Sequence, residues 1–172
     1  MARVQHTRLR TGAVQKRVLI FLTAITAFLM VVALVYAVRY EAPYTPPPLE
    51  TNTSFGVPVP AENMRYSQLE TPAFTFGIAA TAYQQKDGSL KIYLTNHESN
   101  QAYLMCEVVN KETNRVLYRS GLLRPGEYVE SLDPLRRIEN IATPIEIFIY
   151  ALELDGYFSV GQVSIDNILQ PG

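Results

Sequence analysis

"PAFTFGIAATAYQQKDGSLKIYLTN", residues 72–96, decides the fold. Phe74, Phe76, Ile78, Ala80 and Ala82 recur at period two, which places them on one face of an extended chain. Lys86-Asp87-Gly88-Ser89 then supplies a hairpin turn, because Asp-Gly tolerates the positive φ that tight hairpins need. Beyond it, Leu90, Ile92 and Leu94 alternate with Lys91, Tyr93 and Thr95, the pattern of a strand with one dry and one wet face. A helix would repeat its apolar positions every three to four residues, and this stretch does not.

The same punctuation continues toward the C-terminus. After a polar loop over residues 96–100, Leu104, Cys106 and Val108 alternate, and residues 110–114 form another turn. A short strand over 116–119 is closed by Ser120-Gly121. Arg124-Pro125-Gly126-Glu127 turns the chain into a strand over 128–132. Asp133-Pro134 has the form of a helix start, a capping carboxylate before proline, so one or two helical turns are expected over 135–140. Ile145, Ile147, Ile149 and Ala151 face one way and Phe148, Tyr150 and Leu152 the other, which predicts a central strand covered on both sides. Asp155-Gly156 turns it back. In the last strand the apolar parity passes from Phe158 and Val160 to Val163 and Ile165, so a β-bulge is expected at Gly161.

Seven short strands with turn signals about every ten residues predict an all-β domain over 72–172, a seven-stranded antiparallel immunoglobulin-like β-sandwich. The chain has no Trp and a single Cys, so its core must rest on aliphatic and aromatic burial rather than on a disulfide.

Upstream the material changes. Residues 39–71 hold Pro43, Pro46-Pro47-Pro48, Pro58 and Pro60, which reads as a semi-stiff Pro-rich stalk; Phe55, Val57, Val59, Met64, Tyr66 and Leu69 leave room for its distal half to lie along the domain. Residues 18–38 carry no charge and at helical rise would span about 31 Å, enough for a bilayer core. Residues 1–17 carry Arg3, Arg8, Arg10, Lys16 and Arg17 and no acid. From Tyr40 onward there are nine basic and sixteen acidic residues, a balance of −7. A basic head before an apolar run and an acidic body after it is a topology pattern. It predicts a cytoplasmic tail, a transmembrane helix embedded in the lipid bilayer, and an extracytoplasmic domain at the cell membrane. It excludes a nucleic-acid footprint, which would place the basic residues on the folded domain. The alternative, a cleaved export leader, draws on Val35-Tyr36-Ala37, but the apolar run exceeds a leader's and Arg39 follows it as a stop-transfer charge would.

At "RVLYRSGLLRPGEYVESL", residues 115–132, with Asn96 and Asn100 before it, the chain resembles the small single-pass membrane proteins of Gram-positive, largely clostridial, bacteria. The shared marks are the Asn-containing loop, Val116 to Gly121, Pro125-Gly126 and Leu132. The resemblance implies the anchor, stalk and outer domain and no established activity.

The residues supply no catalytic constellation, cofactor motif or metal-ligand spacing, so a non-enzyme with no cofactor is expected. His6 and His97 have no Cys or carboxylate partner at ligand spacing. His97-Glu98 reads as a solvated loop rather than half an acid–base pair. Ser120-Gly121 reads as a turn, and Cys106 as a small buried hydrophobe rather than an intermolecular cross-link. Glu127, Glu130 and Asp133 match no calcium loop. Tyrosines recur in or beside strands, and Tyr103, Tyr118, Tyr128 and Tyr157 are the candidate partner-binding residues, with cross-strand packing as the plainer reading. The functional expectation is an accessory or structural subunit whose domain docks on other envelope proteins, the alternative being an adhesion or wall-glycan-binding module.

Overall fold

The computed structural model describes residues 3–39 and 44–172, with side chains for 15–35 and 44–172. Of the sequence expectations, those on the side chains of Arg3, His6, Arg8, Arg10, Tyr36 and Arg39, and on Tyr40 and Pro43, lie outside the described residues. The chain divides into two compact units, residues 1–45 and 46–172.

The first unit holds one helix, α1 (Arg3–Arg39). Its segment Gln15–Val35 is long and apolar enough to cross a bilayer, and none of it is buried. Thr23 and Thr26, the only polar side chains of its apolar run among those described, donate their hydroxyls to the Ile20 and Leu22 carbonyls at 2.9 and 2.8 Å. Each hydroxyl is thus satisfied within the helix, which lowers the cost of placing it in hydrocarbon.

The second unit is β-rich. Its strands are β1 (Ser54–Phe55), β2 (Tyr66–Glu70), β3 (Thr75–Ala79), β4 (Ala82–Gln84), β5 (Leu90–Asn96), β6 (Ala102–Asn110), β7 (Arg115–Arg119), β8 (Glu127–Leu132), β9 (Thr143–Glu153) and β10 (Ser159–Gln170). They form one curled mixed sheet in the order β1-β8-β5-β4-β10-β9-β6-β7, with β2 on β3 and β3 on β5. The expectation of seven antiparallel strands is corrected to ten, with one parallel pair, Leu169 and Gln170 of β10 against Ala82 and Tyr83 of β4. The extra strands arise because the run over 74–84 breaks at Ala80-Thr81, and because β1 and β2 come from the stretch read as stalk.

The main core fills the curl. Phe76, Leu90, Ile92, Leu94, Leu104, Cys106, Val108, Tyr118, Ile145, Ile147 and Ile149 are all essentially inaccessible. The inward positions read from the sequence therefore hold in β5, β6 and β9. Ala80 is the exception, exposed where β3 passes into β4. The expected bulge is present. Ser159 pairs with Leu152 and Gly161 with Ala151, leaving Val160 without an opposite residue.

Two further expectations differ. No helix forms over 135–140. Pro134 bridges to Tyr118, and the Leu135 N–H donates to the Leu117 carbonyl at 2.9 Å, so the backbone groups a helix would use are spent sideways on β7. The face of β5 read as wet is covered at Tyr93 and Thr95. Met64, Tyr66 and Ala79 pack against Tyr93, and the Tyr66 hydroxyl lies 2.9 Å from Thr95 Oγ1.

The sequence places the start of the domain at residue 72, and in the structure residues from Pro46 onward cluster with the β unit. The Leu122 N–H donates to the Pro48 carbonyl and the Glu50 N–H to the Leu122 carbonyl, both at 2.9 Å, and the Gly121 N–H donates to Glu50 Oε2 at 2.8 Å. A Cβ on Gly121 would stand 2.6 Å from the Glu50 nitrogen, so only glycine lets the two backbones cross this closely. Ser120 locks the neighbouring strand by accepting the Cys106 N–H at 2.8 Å. In this chain the Ser-Gly phrase is thus a clasp for the segment leading into the domain.

Candidate functional site

The structure brings together two of the four candidate tyrosines. Tyr103 on β6 and Tyr157, in the turn after β9, stack with ring centroids 5.8 Å apart and an interplanar angle of 9°. They pack on the outer face of the sheet with Met105, Leu122, Leu152 and Tyr150. Tyr157 holds φ +57°, a left-handed conformation uncommon for a bulky residue. A Cβ on Gly156 would lie 2.7 Å from the Phe158 ring, so crowding at Gly156 and left-handed backbone at Tyr157 share this turn. Its closing hydrogen bonds run from the Glu153 N–H to the Phe158 carbonyl and from the Tyr157 N–H to the Glu153 carbonyl.

Tyr128 lies elsewhere, on β8 between Ser54 of β1 and Thr95 of β5. Tyr118 is fully buried in the main core, where its hydroxyl donates to the Gly88 carbonyl at 3.0 Å. Burial pushes its phenol up to about 12, with the nearby Asp87 charge adding to the shift.

Sequence reasoning missed the contribution of β9 to the outer patch. Phe148 and Tyr150 stack at 6.3 Å and are half-buried. Desolvation, then the Glu107 carboxylate, raises the Tyr150 pKa. The available signal is the alternation of Phe148, Tyr150 and Leu152, which predicts a face covered by a second layer, whereas Phe148 and Tyr150 are only half-buried.

A second apolar feature lies at the opposite end of the sheet path. Phe55, Val57 and Val59 are strongly exposed, and Phe55 and Val57 border a cavity of about 260 Å³ with Gln68, Thr95 and His97. His97 and Glu98 both line it, but His97 Nδ1 is held by the Ser99 N–H and hydroxyl at 3.2 and 2.8 Å. Among the described residues no group of three or more His, Cys, Asp or Glu side chains could hold a metal ion.

Cys106 is fully buried and faces the main core. Desolvation is the largest influence on its thiol and pushes it up to about 12, against the lowering effect of Ser120. A neutral, inaccessible thiol is a poor nucleophile. Folded protein is therefore expected to resist maleimide at neutral pH, with labelling only in denaturant. Fast labelling of the folded protein, read by intact mass, would contradict this burial.

Open strand edges are the third feature. Among the described residues β2 has one paired side, β7 meets β6 on one side and Pro134 and Leu135 on the other, and β10 meets β4 only at its last two paired positions. Unpaired edges carry directional donors and acceptors that side-chain patches lack. No family model, curated protein or solved structure matches the chain.

Proposed function

We propose that the chain is a single-pass membrane protein of the cell envelope, with its N-terminus in the cytoplasm. Its extracytoplasmic domain is a non-catalytic module that docks on other envelope proteins as an accessory or structural subunit. The observation that carries this reading is the set of open strand edges beside exposed apolar side chains, which suits β-strand addition. The membrane-length helix and the five basic residues before it support the placement.

In this proposal the domain is an immunoglobulin-like sandwich with added marginal strands. Taken as one interrupted strand, β3 and β4 join β5 and β8 on one side, while β10, β9, β6 and β7 lie in order on the other. That makes seven strands in two groups around one core, with β1 and β2 added at the margins.

The stacked Tyr103–Tyr157 pair favours the second reading, a wall-glycan-binding module, because aromatic faces suit sugar rings. The two rings cover each other, however, and leave less free face than a sugar platform needs. Cross-linking in intact cells through a C-terminal tag tests the choice. One or two envelope proteins in near-stoichiometric yield are expected, whereas self-adducts and wall fragments alone would transfer the case to glycan binding.

A further inference from the structure

Strand β10 pairs with β9 over most of its length. On its other side, among the described residues, β4 pairs only with Leu169 and Gln170. The direction of the backbone groups between follows from Pro144. Proline has no N–H, and the Pro144 carbonyl accepts from the Lys111 N–H at 3.0 Å, away from β10. The Ile168–Pro144 pair therefore exchanges no ladder hydrogen bond, and the Ile168 N–H donates to Asn167 Oδ1 at 2.8 Å instead. Register runs unbroken from Ile168 back to Gln162. Alternation then turns the N–H and C=O groups of Asp166, Ser164 and Gln162 away from β9, onto the open side.

A groove of about 260 Å³ adjoins that side. Ser67 and Leu69 of β2 form its roof, and Ile78, Ile147 and Ile165 line its floor. Asn167 Nδ2 donates to the Ala80 carbonyl at 2.9 Å and closes the end where β3 passes into β4. Leu69 and Ile168 stand 41 and 49% exposed. The strand has no Lys, Arg or Pro, and its one acid, Asp166, is paired with Lys111 at 2.8 Å. Of the usual devices that blunt an edge, the Val160–Gly161 bulge and this single charge are what β10 carries.

We propose that this open edge of β10 is a strand acceptor. A single extended segment of a partner polypeptide adds beside β10, pairs its backbone with Gln162, Ser164 and Asp166, and sends alternate aliphatic side chains under Leu69. The proposal rests on the docking reading above and names its surface. The occupant is a lone segment rather than a second copy. An isologous β10–β10 pair would bring the copy's own β2 and β3 against the β2 that roofs the groove.

The test uses the full chain in intact cells, with p-benzoylphenylalanine replacing Gln162, Tyr157 or Phe55 in turn. Ser164→Pro removes one open-side N–H and spares the β9 ladder, whereas Ser164→Ala removes only a hydroxyl. Leu69→Asp places a charge in the exposed roof and serves if the proline variant fails to fold. An adduct at position 162 is expected to map to one extended, alternating segment of another protein. Its yield should fall about tenfold or more with Ser164→Pro or Leu69→Asp and stay within about twofold with Ser164→Ala. An adduct indifferent to both variants, or one made with a second copy, overturns the strand acceptor. Adducts only at positions 157 or 55 overturn it while leaving docking in place. No adduct at any position removes both.

Discussion

Tyr118→Ala should cost about 3–5 kcal/mol of unfolding free energy, the range for deleting a large aromatic from a closed core. Tyr118 is among the largest fully buried side chains and packs within the main cluster. Tyr118→Phe keeps the packing and loses the hydrogen bond to the Gly88 carbonyl, so about 1 kcal/mol is expected. Tyr103→Ala should also cost about 1 kcal/mol, since it removes a half-buried ring from a stacked pair on the outer face. Urea unfolding of the full chain in micelles, followed by tyrosine near-ultraviolet dichroism, measures all three, because the chain has no Trp to mask the signal. Equal losses for Tyr118→Ala and Tyr103→Ala would refute the division into core and surface.

The same residue gives stability a pH dependence. Burial raises the Tyr118 phenol from its ordinary 10.0 to about 12 in the folded chain. Above pH 10 the unfolded chain sheds this proton and the folded chain keeps it, so the unfolded state binds fewer protons and stability falls as pH rises. The contribution is complete below pH 10 and is lost progressively up to about 12. Cys106 acts with the same sign from 9.0 to about 12. Tyr118→Phe in a Cys106→Ala background should therefore flatten the alkaline limb.

Local patterning made much of the fold legible. The alternation in β5, β6 and β9, the Asp87-Gly88 turn with Gly88 at φ +90°, and the bulge before Gly161 all follow from residues within a few positions of one another. What sequence did not reveal depends on distant partners. Glu50 meets Gly121 across 71 residues, and nothing near Glu50 announces it. β2 reads Tyr-Ser-Gln-Leu-Glu, with one aliphatic side chain, because an edge strand needs little burial, and the prolines around it spoke louder. The tyrosines show the limit for the site. A register shift between Val108 and Val109 upsets parity opposite β7, so Leu117 and Tyr118 are both buried and alternation could not tell which way Tyr118 points. The open side of β10 is a negative property, the absence of a neighbour, which no short-range pattern encodes.

Asn96→Ala should cost about 2–5 kcal/mol, because it strands buried partners rather than merely removing a contact. Asn96 is fully buried, and its Nδ2 donates to the Ala102 and Leu123 carbonyls, both at 2.9 Å. Its Oδ1 accepts from Asn100 Nδ2 at 2.6 Å. Asn100 in turn grips β3, accepting the Thr75 N–H at 2.9 Å and donating to the Thr75 carbonyl at 2.6 Å. The substitution leaves one N–H of Asn100 and the Ala102 carbonyl without these partners, while the Leu123 carbonyl keeps the Leu104 N–H. Asn96→Asp is a sharper probe at nearly constant volume. An ionised carboxylate would face two carbonyls with no proton to give, so its pKa must rise above the unfolded value of about 4. Stability should then fall as pH increases through that raised value, and acidification should recover part of the loss. Hydrogen exchange connects the network to the proposed acceptor. Because Asn100 fixes Thr75 at the start of β3, and β2 hangs on β3 alone, the Asn96 variants should expose β2 amides before those of β9. Uniform exposure across both strands would mean that the roof of the groove is held by the global fold and not by this asparagine pair.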